Sequence, residues 1–516
     1  MPTFKGPARE SRRPPRRGGL ALPVAGMEAE FNVWLDGVEI DPRSYWGRPR
    51  AFITRPLLKR EKSSYQVPTG GAVYFDRGVI EVVTPVIELR PGCAARMVRN
   101  LWEQIAFVRE ELDGWGNRTG HDVRLSAYSA HYNISYEVPR AEQRTDRDVQ
   151  SLALLLAFIL PVPVALVATN RRSTGVGVRP RGDRIEVTVD FTPDPGLMIA
   201  TAALVIGIVR EVLSWESYRL ELLDEMPIAT VADVVPGRHT TRKGWLTKDF
   251  HFPLSPFTTD LDRRIWPLRR GGTASLRHIA RSVAWYFRHS IRRYCDPFSF
   301  RMLFAVLEGR APSMLELDDR PRAYEDVGRL CRWGAILDEL KQAQRRLLPA
   351  SALSPALQQY VLEREQQRPA AAAPAPAQPK PEPEQAKAPE PAPVRLSVRA
   401  PRAAVVARAR TRSADSPADR RRNSGRLPDL LPERRRTRRR YTDRVVPFPD
   451  ARLTRSTYEQ VFLKLVSGER LKIGRDTYKP IGMRGWYHAI FRRDSDGKER
   501  LMSIDQLVKK MRDWEA

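Results

Sequence analysis

A chain of 516 residues with 42% hydrophobic residues and a formal net charge of +27 has room for roughly two or three domains and a sizeable core. Its cysteines, Cys93, Cys295 and Cys331, stand far apart with no CxxC spacing, which argues against a zinc cluster or a disulfide framework and fits a reducing, cytoplasmic setting. The charge does not make the whole chain a nucleic-acid binder: residues 395–444 hold 17 arginines against 5 acidic residues, and residues 1–17 hold 6 basic residues against 1 acidic, so more than half of the excess lies outside the segments that read as folded.

In chain order, residues 1–17 read as a basic, disordered N-terminus, and the apolar stretch Leu20 to Ala25 is too short and too proline-interrupted for an export signal. Residues 18–348 alternate strand-like and helix-like segments. The first strand is expected from Val24 to Leu35, ending at an Asp36-Gly37 hairpin signal. Alternation places Glu28, Glu30 and Asn32 on one face and Met27, Ala29, Phe31 and Val33 on the other. A second pair turns at Asp76-Arg77-Gly78 and leaves Glu81 alone among β-branched neighbours, where a carboxylate needs a partner. The third strand, Ala127 to Tyr136, alternates Ser129, His131, Asn133 and Ser135 with apolar and aromatic residues.

The uncharged run Leu152 to Ala168 approaches a membrane-spanning length, but Pro161 and Pro163 interrupt it. It reads as a buried helix followed by a buried strand, and no membrane partner is expected. Asn170 to Arg181 then supplies Arg171, Arg172, Arg179 and Arg181 in a glycine-containing segment, residue types that grip phosphate or carboxylate and let backbone approach a ligand. The fourth strand, Arg184 to Phe191, sets Arg184, Glu186, Thr188 and Asp190 on one side. Residues 349–444 are Ala/Pro-rich and then Arg-rich, and read as a disordered linker. Its stretch 395–444 is either a contact for nucleic acid or another polyanion, or a solubilising spacer. Residues 445–516 read as a small α+β module, with a helix over Thr457 to Val466, strands Trp486 to Arg493 and Glu499 to Met502 around Asp496-Gly497, and an amphipathic Ile504 to Trp514.

Each polar strand face alone is explained by an antiparallel sheet with one side in water. Together, Glu-x-Glu, an isolated Glu, His-x-Asn and Arg-x-Glu describe a cleft of carboxylates, one imidazole and guanidinium groups. Such an oxygen-rich set suits Mg2+ or Mn2+ completed by phosphates. No GxxxxGK[ST] stretch occurs, which argues against a P-loop enzyme.

Gly26-Met-Glu-Ala-Glu-Phe31, Glu81-Val-Val-Thr-Pro85, His131-Tyr-Asn-Ile-Ser135 and Asn170-Arg171 leading to Arg184-Ile-Glu-Val187 resemble, in that order, the motifs of glutamine synthetase-like carboxylate-amine ligases. The γ-glutamylcysteine ligase-type branch and the predicted amidoligases are the most similar, and the resemblance covers residues 22–215. It implies an α+β fold, a curved antiparallel sheet with helices behind it, and an ATP-dependent enzyme that joins a small-molecule or peptide carboxylate to an amine through an acyl phosphate. It also implies that 18–348 is the catalytic domain with a helical C-terminal half, and it leaves oligomerisation open. By the same resemblance Glu28, Glu30, Glu81, His131 and Glu186 are metal ligands, and Arg179 and Arg184 are catalytic. Asn133, Ser135, Arg171, Arg172, Arg181 and Thr188 would then bind ATP or substrate. Thr188 departs from the family, which often has an arginine there. The acid and the amine stay open, as do two rivals: a ligase-fold scaffold that binds a polyanion through its arginine-rich stretch, and a phosphotransferase to a guanidino substrate.

Overall fold

Strict alternation over Val24–Leu35 yields a twelve-residue strand, β1, whose odd-numbered side chains are buried and whose even-numbered ones are half-buried from Glu28 onward. Its hairpin to β2 (Val38–Ile40) turns on Asp36 and Gly37, both at positive φ, 52° and 82°. That is the backbone a two-residue turn requires. The computed structural model describes residues 20–61, 63–136, 146–171, 173, 175–192, 194–232, 234–239, 244–247, 255–316 and 457–515. The readings of 1–17, Arg172 and 349–444 lie outside them.

After β3 (Leu58–Lys59) and β4 (Tyr65–Gln66), β5 (Ala72–Asp76) and β6 (Val79–Val83) form the second expected hairpin, with Arg77 and Gly78 at φ 41° and 89°. Then come β7 (Ile87–Glu88), β8 (Val123–Ser135), β9 (Val176–Pro180), β10 (Arg184–Asp190), β11 (Gly237–Arg238) and β12 (Trp245–Thr247). They make one mixed-length antiparallel sheet in the order β11-β12-β9-β10-β8-β1-β6-β5-β4-β3, with β2 and β7 pairing with β1. The third strand thus begins earlier than its sequence pattern suggested.

Helices cover the apolar face: α1 (Cys93–Thr119), α2 (Asp146–Ile159), α3 (Pro161–Ala168) and α4 (Pro195–Leu213), followed by α5 (Leu276–Tyr286), α6 (Arg288–Tyr294) and α7 (Pro297–Leu307). Phe31 of β1 and Trp102 of α1 both meet Phe191 edge-on at 5.4 and 5.8 Å, so the sheet and its first helix share one aromatic joint. The strand expected after Pro163 is corrected to helix α3. Pro161 and Pro163 sit in its first turn, where a missing N–H costs nothing, and the axis bends by 61° from α2. Helix α4 is long and apolar enough to cross a membrane, yet its apolar window is 83% buried here. Its start is set by Pro195 and by Asp194, whose side chain accepts from Leu197 N at 2.9 Å.

The described C-terminal residues form α8 (Thr457–Ser467), β13 (Arg470–Ile473), β14 (Asp476–Arg484), β15 (His488–Arg493), β16 (Glu499–Ser503), α9 (Ile504–Lys509) and β17 (Trp514–Glu515). The strands order as β16-β15-β14-β13-β17. Helix α9 stops at Lys509, and Trp514 pairs in β17 rather than prolonging it. Val24 and Leu58 of the large sheet belong to the same buried cluster as Tyr458, Phe462, Leu471 and Phe491. Polar ties reinforce this seam: Asn100 Nδ2 donates to Glu459 Oε1 at 2.6 Å, and Tyr458 N to Glu88 Oε1 at 3.0 Å.

Candidate active site

Antiparallel register converts the alternation of single strands into rows across the polar face of the sheet. One row runs Tyr74, Glu81, Glu30, Ser129, Asp190. The next runs Glu28, His131, Thr188, Gly177. A third places Asn133, Glu186 and Arg179 side by side. Each row crosses several strands, so Glu30 and Asp190, on either side of Ser129, stand in one row although far apart in sequence.

At the centre, single ligand atoms of Glu28, Glu81 and His131 lie within 4.8 Å of one another. His131 Nδ1 is 3.1 Å from Glu28 Oε2, and Ser129 Oγ donates to Glu30 Oε2 at 2.6 Å while standing 3.1 Å from His131 Nε2. Glu30 and Glu186 come within 3.9 and 4.0 Å of the imidazole nitrogens. All five residues read as ligands therefore share one face, although Glu186 is claimed by arginines. Burial, then the Glu28 charge and a hydrogen bond with it, push the Glu81 carboxyl well above its usual range. Burial also opposes ionisation of Glu28, but the hydrogen bond and charge of His131, with the Glu81 hydrogen bond, hold it down at about 2. Two buried carboxylates in contact share a proton. A hard divalent cation would take that proton's place, and an O/O/N donor set suits Mg2+ or Mn2+, so the residues fit such an ion.

Beside this cluster lie the guanidinium groups. Arg179 pairs with the fully buried Glu186, and Arg181 grips the same carboxylate through two nitrogens at 2.7 and 3.1 Å. Burial and the charge of Arg181 lower Arg179 to about 10, which still leaves it cationic at neutral pH. Arg184 donates from Nε to Asn133 Oδ1 at 2.7 Å and from Nη1 to Asp183 Oδ1 at 2.8 Å, which fixes its plane. Ser135 Oγ accepts from Val24 N at 2.8 Å, a stitch within the sheet. Thr188 Oγ1 is buried and makes no hydrogen bond among the described residues. Arg171 is exposed in the turn after α3.

Four contributors escaped the sequence reading. Tyr74 donates to Glu81 from the neighbouring strand. Arg60, in the β3–β4 turn, is buried over the Trp486 ring at 3.7 Å, and it feels the charges of Glu61 and Glu28. Tyr487 donates to Asp183, which links the C-terminal residues to the partner of Arg184. His239 lies over Gly177: a Cβ built there would meet His239 Cδ2 at 3.0 Å and Nε2 at 3.3 Å. Alternation flagged none of these, because Arg60 and His239 stand in turns or short edge pieces and Tyr487 is remote in sequence. Tyr74, opposite Glu81, is the one that strand pairing would have exposed.

No family model matches the chain. No curated protein matches it either. Among solved structures it is similar to the complex of prokaryotic ubiquitin-like protein Pup with its ligase PafA, at 11% identity and a TM-score of 0.32, over 63% of this chain and 70% of that one. An overlap that loose carries no functional assignment.

Proposed function

We propose that this chain is an ATP-dependent carboxylate-amine ligase that forms an amide through an acyl phosphate. The observation that supports it is the convergence, on one face of one sheet, of Glu28, Glu81 and His131 within 4.8 Å, beside an arginine set anchored on Glu186 and Asn133. Joining a carboxylate to the γ-phosphoryl group of ATP brings two anions together, so the site must neutralise charge before transfer. Glu28, Glu81 and His131 would hold Mg2+ or Mn2+, with Glu30 and Glu186 next to them. When bound, the cation supplies charge neutralisation and a fixed orientation for the phosphates of ATP.

The chain's own groups do the rest. Arg184, held flat by Asn133 and Asp183, is placed to receive an oxyanion without paying reorientation at the moment of transfer. Arg179 and Arg181 are both paired with Glu186, whose charge offsets their mutual repulsion until a second anion arrives. An amine that then attacks the activated carbonyl expels phosphate, which those guanidinium groups can accept. The acid and the amine belong to the classes of small-molecule or peptide carboxylate and primary amine or ammonia.

The test is ADP release with a panel of carboxylic acids, Mg2+ or Mn2+, and hydroxylamine as the amine. We expect an ATP-dependent hydroxamate with the correct acid. Glu28→Gln should lower its formation by about a hundredfold or more while the far-UV circular dichroism stays that of the parent chain. A stable phosphorylated guanidino product would overturn the ligase reading in favour of a phosphotransferase. No carboxylate-dependent ADP release across the panel would overturn it as well.

A further inference from the structure

The turn that joins β14 to β15, Gly485-Trp486-Tyr487, lays two neighbouring side chains on two different hairpins of the large sheet. The Arg60 guanidinium of the β3–β4 turn lies over the Trp486 ring at 3.7 Å, and the Tyr487 hydroxyl donates to Asp183 Oδ2 in the β9–β10 turn. The C-terminal turn is itself tied down: Gly485 takes a positive φ of 60°, Trp486 meets Phe462 edge-on at 5.2 Å, and Ile504 N donates to the Tyr487 carbonyl at 2.9 Å. The backbone of the β9–β10 turn is set by Tyr136 N donating to Asp183 O at 3.2 Å and Arg181 N to Arg184 O at 2.8 Å. The Asp183 side chain, however, is 41% exposed, and a carboxylate at such a site gains little from an ion pair with the next residue in sequence alone. With Oδ2 taken by Tyr487, Oδ1 receives Arg184 Nη1 at 2.8 Å, while Arg184 Nε donates to Asn133 Oδ1 at 2.7 Å. Among the described residues these bonds occupy Nε and Nη1 and leave Nη2 for an anion, which can reach an Arg184 side chain that is 36% exposed.

We propose that Tyr487 is a positioning residue for Arg184: by fixing the Asp183 carboxylate, its hydroxyl sets the plane in which Arg184 meets an oxyanion of the transferred phosphoryl group, so that residues 457–515 complete the active site. Burial first, and then the charge of Asp183 and the hydrogen bond to it, push the Tyr487 hydroxyl above its ordinary range, so it remains a donor at working pH. The larger effect falls on rate, since a guanidinium that swings out of its plane still attracts a phosphate but meets the developing charge less often. This rests on the ligase reading for the reaction that Arg184 serves, whereas phosphate binding reads the same contact without turnover.

The experiment compares Tyr487→Phe, Arg184→Lys, their double variant and Tyr458→Phe in the full chain. Hydroxamate formation gives kcat and the KM for ATP, and orthophosphate, a product of the proposed reaction, is titrated calorimetrically with Mn2+ and ADP present. Tyr487→Phe should lower kcat by about tenfold, the scale of one well-placed hydrogen bond. It should leave the KM for ATP within about twofold and weaken phosphate binding by about threefold or more. On top of Arg184→Lys it should cost nothing further, because residues that act through one another are not additive. Tyr458→Phe removes another hydroxyl of the C-terminal residues, the one that donates to Asp505 Oδ1 at 2.6 Å, and should leave kcat and phosphate binding as in the parent chain. An unchanged kcat and phosphate affinity in Tyr487→Phe, a loss that repeats in full on Arg184→Lys, an equal loss in Tyr458→Phe, or no phosphate binding by the parent chain would each overturn the proposal. Phosphate binding that depends on Tyr487 through Arg184 in a parent chain that releases no ADP would support the positioning role and overturn the ligase reading instead.

Discussion

Glu28 and Glu81 come from different strands and meet because β1 and β6 pair with Glu30 opposite Glu81. In the metal-free chain Glu81 is the member pushed toward its protonated form, first by burial and then by Glu28. Glutamine imitates a protonated acid in shape and charge. Glu81→Gln should therefore leave the metal-free Tm close to that of the parent chain, yet abolish the rise in Tm that saturating Mn2+ gives. That rise corresponds to about 2.7 kcal/mol at a hundredfold excess over Kd. Differential scanning calorimetry with and without Mn2+ separates the two effects. A variant that keeps the Mn2+ gain would remove Glu81 from the ligand set. The need of Glu81 for a partner was legible in its β-branched surroundings. That the partner would be Glu28, with Tyr74 donating from the other side, depended on strand order.

At the scale of elements, α4 packs on α6 with its backbone in close approach. Gly207 faces Ile291, and a Cβ on Gly207 would stand 2.5 Å from Ile291 Cα and 2.8 Å from its N. Because the obstacle is backbone, the helices must part to admit a methyl group. Gly207→Ala should thus cost about 1–3 kcal/mol, the usual range for overpacking, measured as a lower midpoint in urea with the slope unchanged. A variant as stable as the parent chain would mean that the two helices slide freely. Strand positions were readable because alternation of burial has a period of two. The run from Leu152 to Ala168 has no polar residue to set a period, which is why α3 read as a strand and emerged as a helix.

For the whole molecule, residues 457–515 join the large sheet through a shared apolar cluster and through the pairs Tyr487 with Asp183, Glu459 with Asn100, and Arg60 over Trp486. Truncation at residue 456 should expose Val24 and Leu58, strand the buried Asn100 amide without its carboxylate, and leave Asp183 with Arg184 but without the Tyr487 donor. The truncated chain should unfold at lower denaturant than the full chain, by several kcal/mol at about 1.5–3 kcal/mol per large apolar side chain exposed. Excision of 369–444, whose composition offers little to bury, should leave the midpoint unchanged. Equal midpoints for the 456 truncation and the full chain would show that the seam adds nothing to stability.

By itself the sequence determined the local periodicity and therefore the faces: Glu28 with Glu30, His131 with Asn133, and Arg184 with Glu186 had to point the same way because residues two apart on a strand do so. It also carried the turns, since Asp36-Gly37 and Arg77-Gly78 adopt the left-handed backbone of tight hairpins. Only the tertiary structure decided which faces adjoin, because strand order and register depend on which apolar surfaces find one another. It thereby decided that Glu186 holds Arg179 and Arg181, that His239 stands over Gly177, and that Trp486 meets Arg60 and Tyr487 meets Asp183 across a seam between segments hundreds of residues apart. No local pattern records such contacts, since each partner satisfies its own turn or strand equally well in its absence.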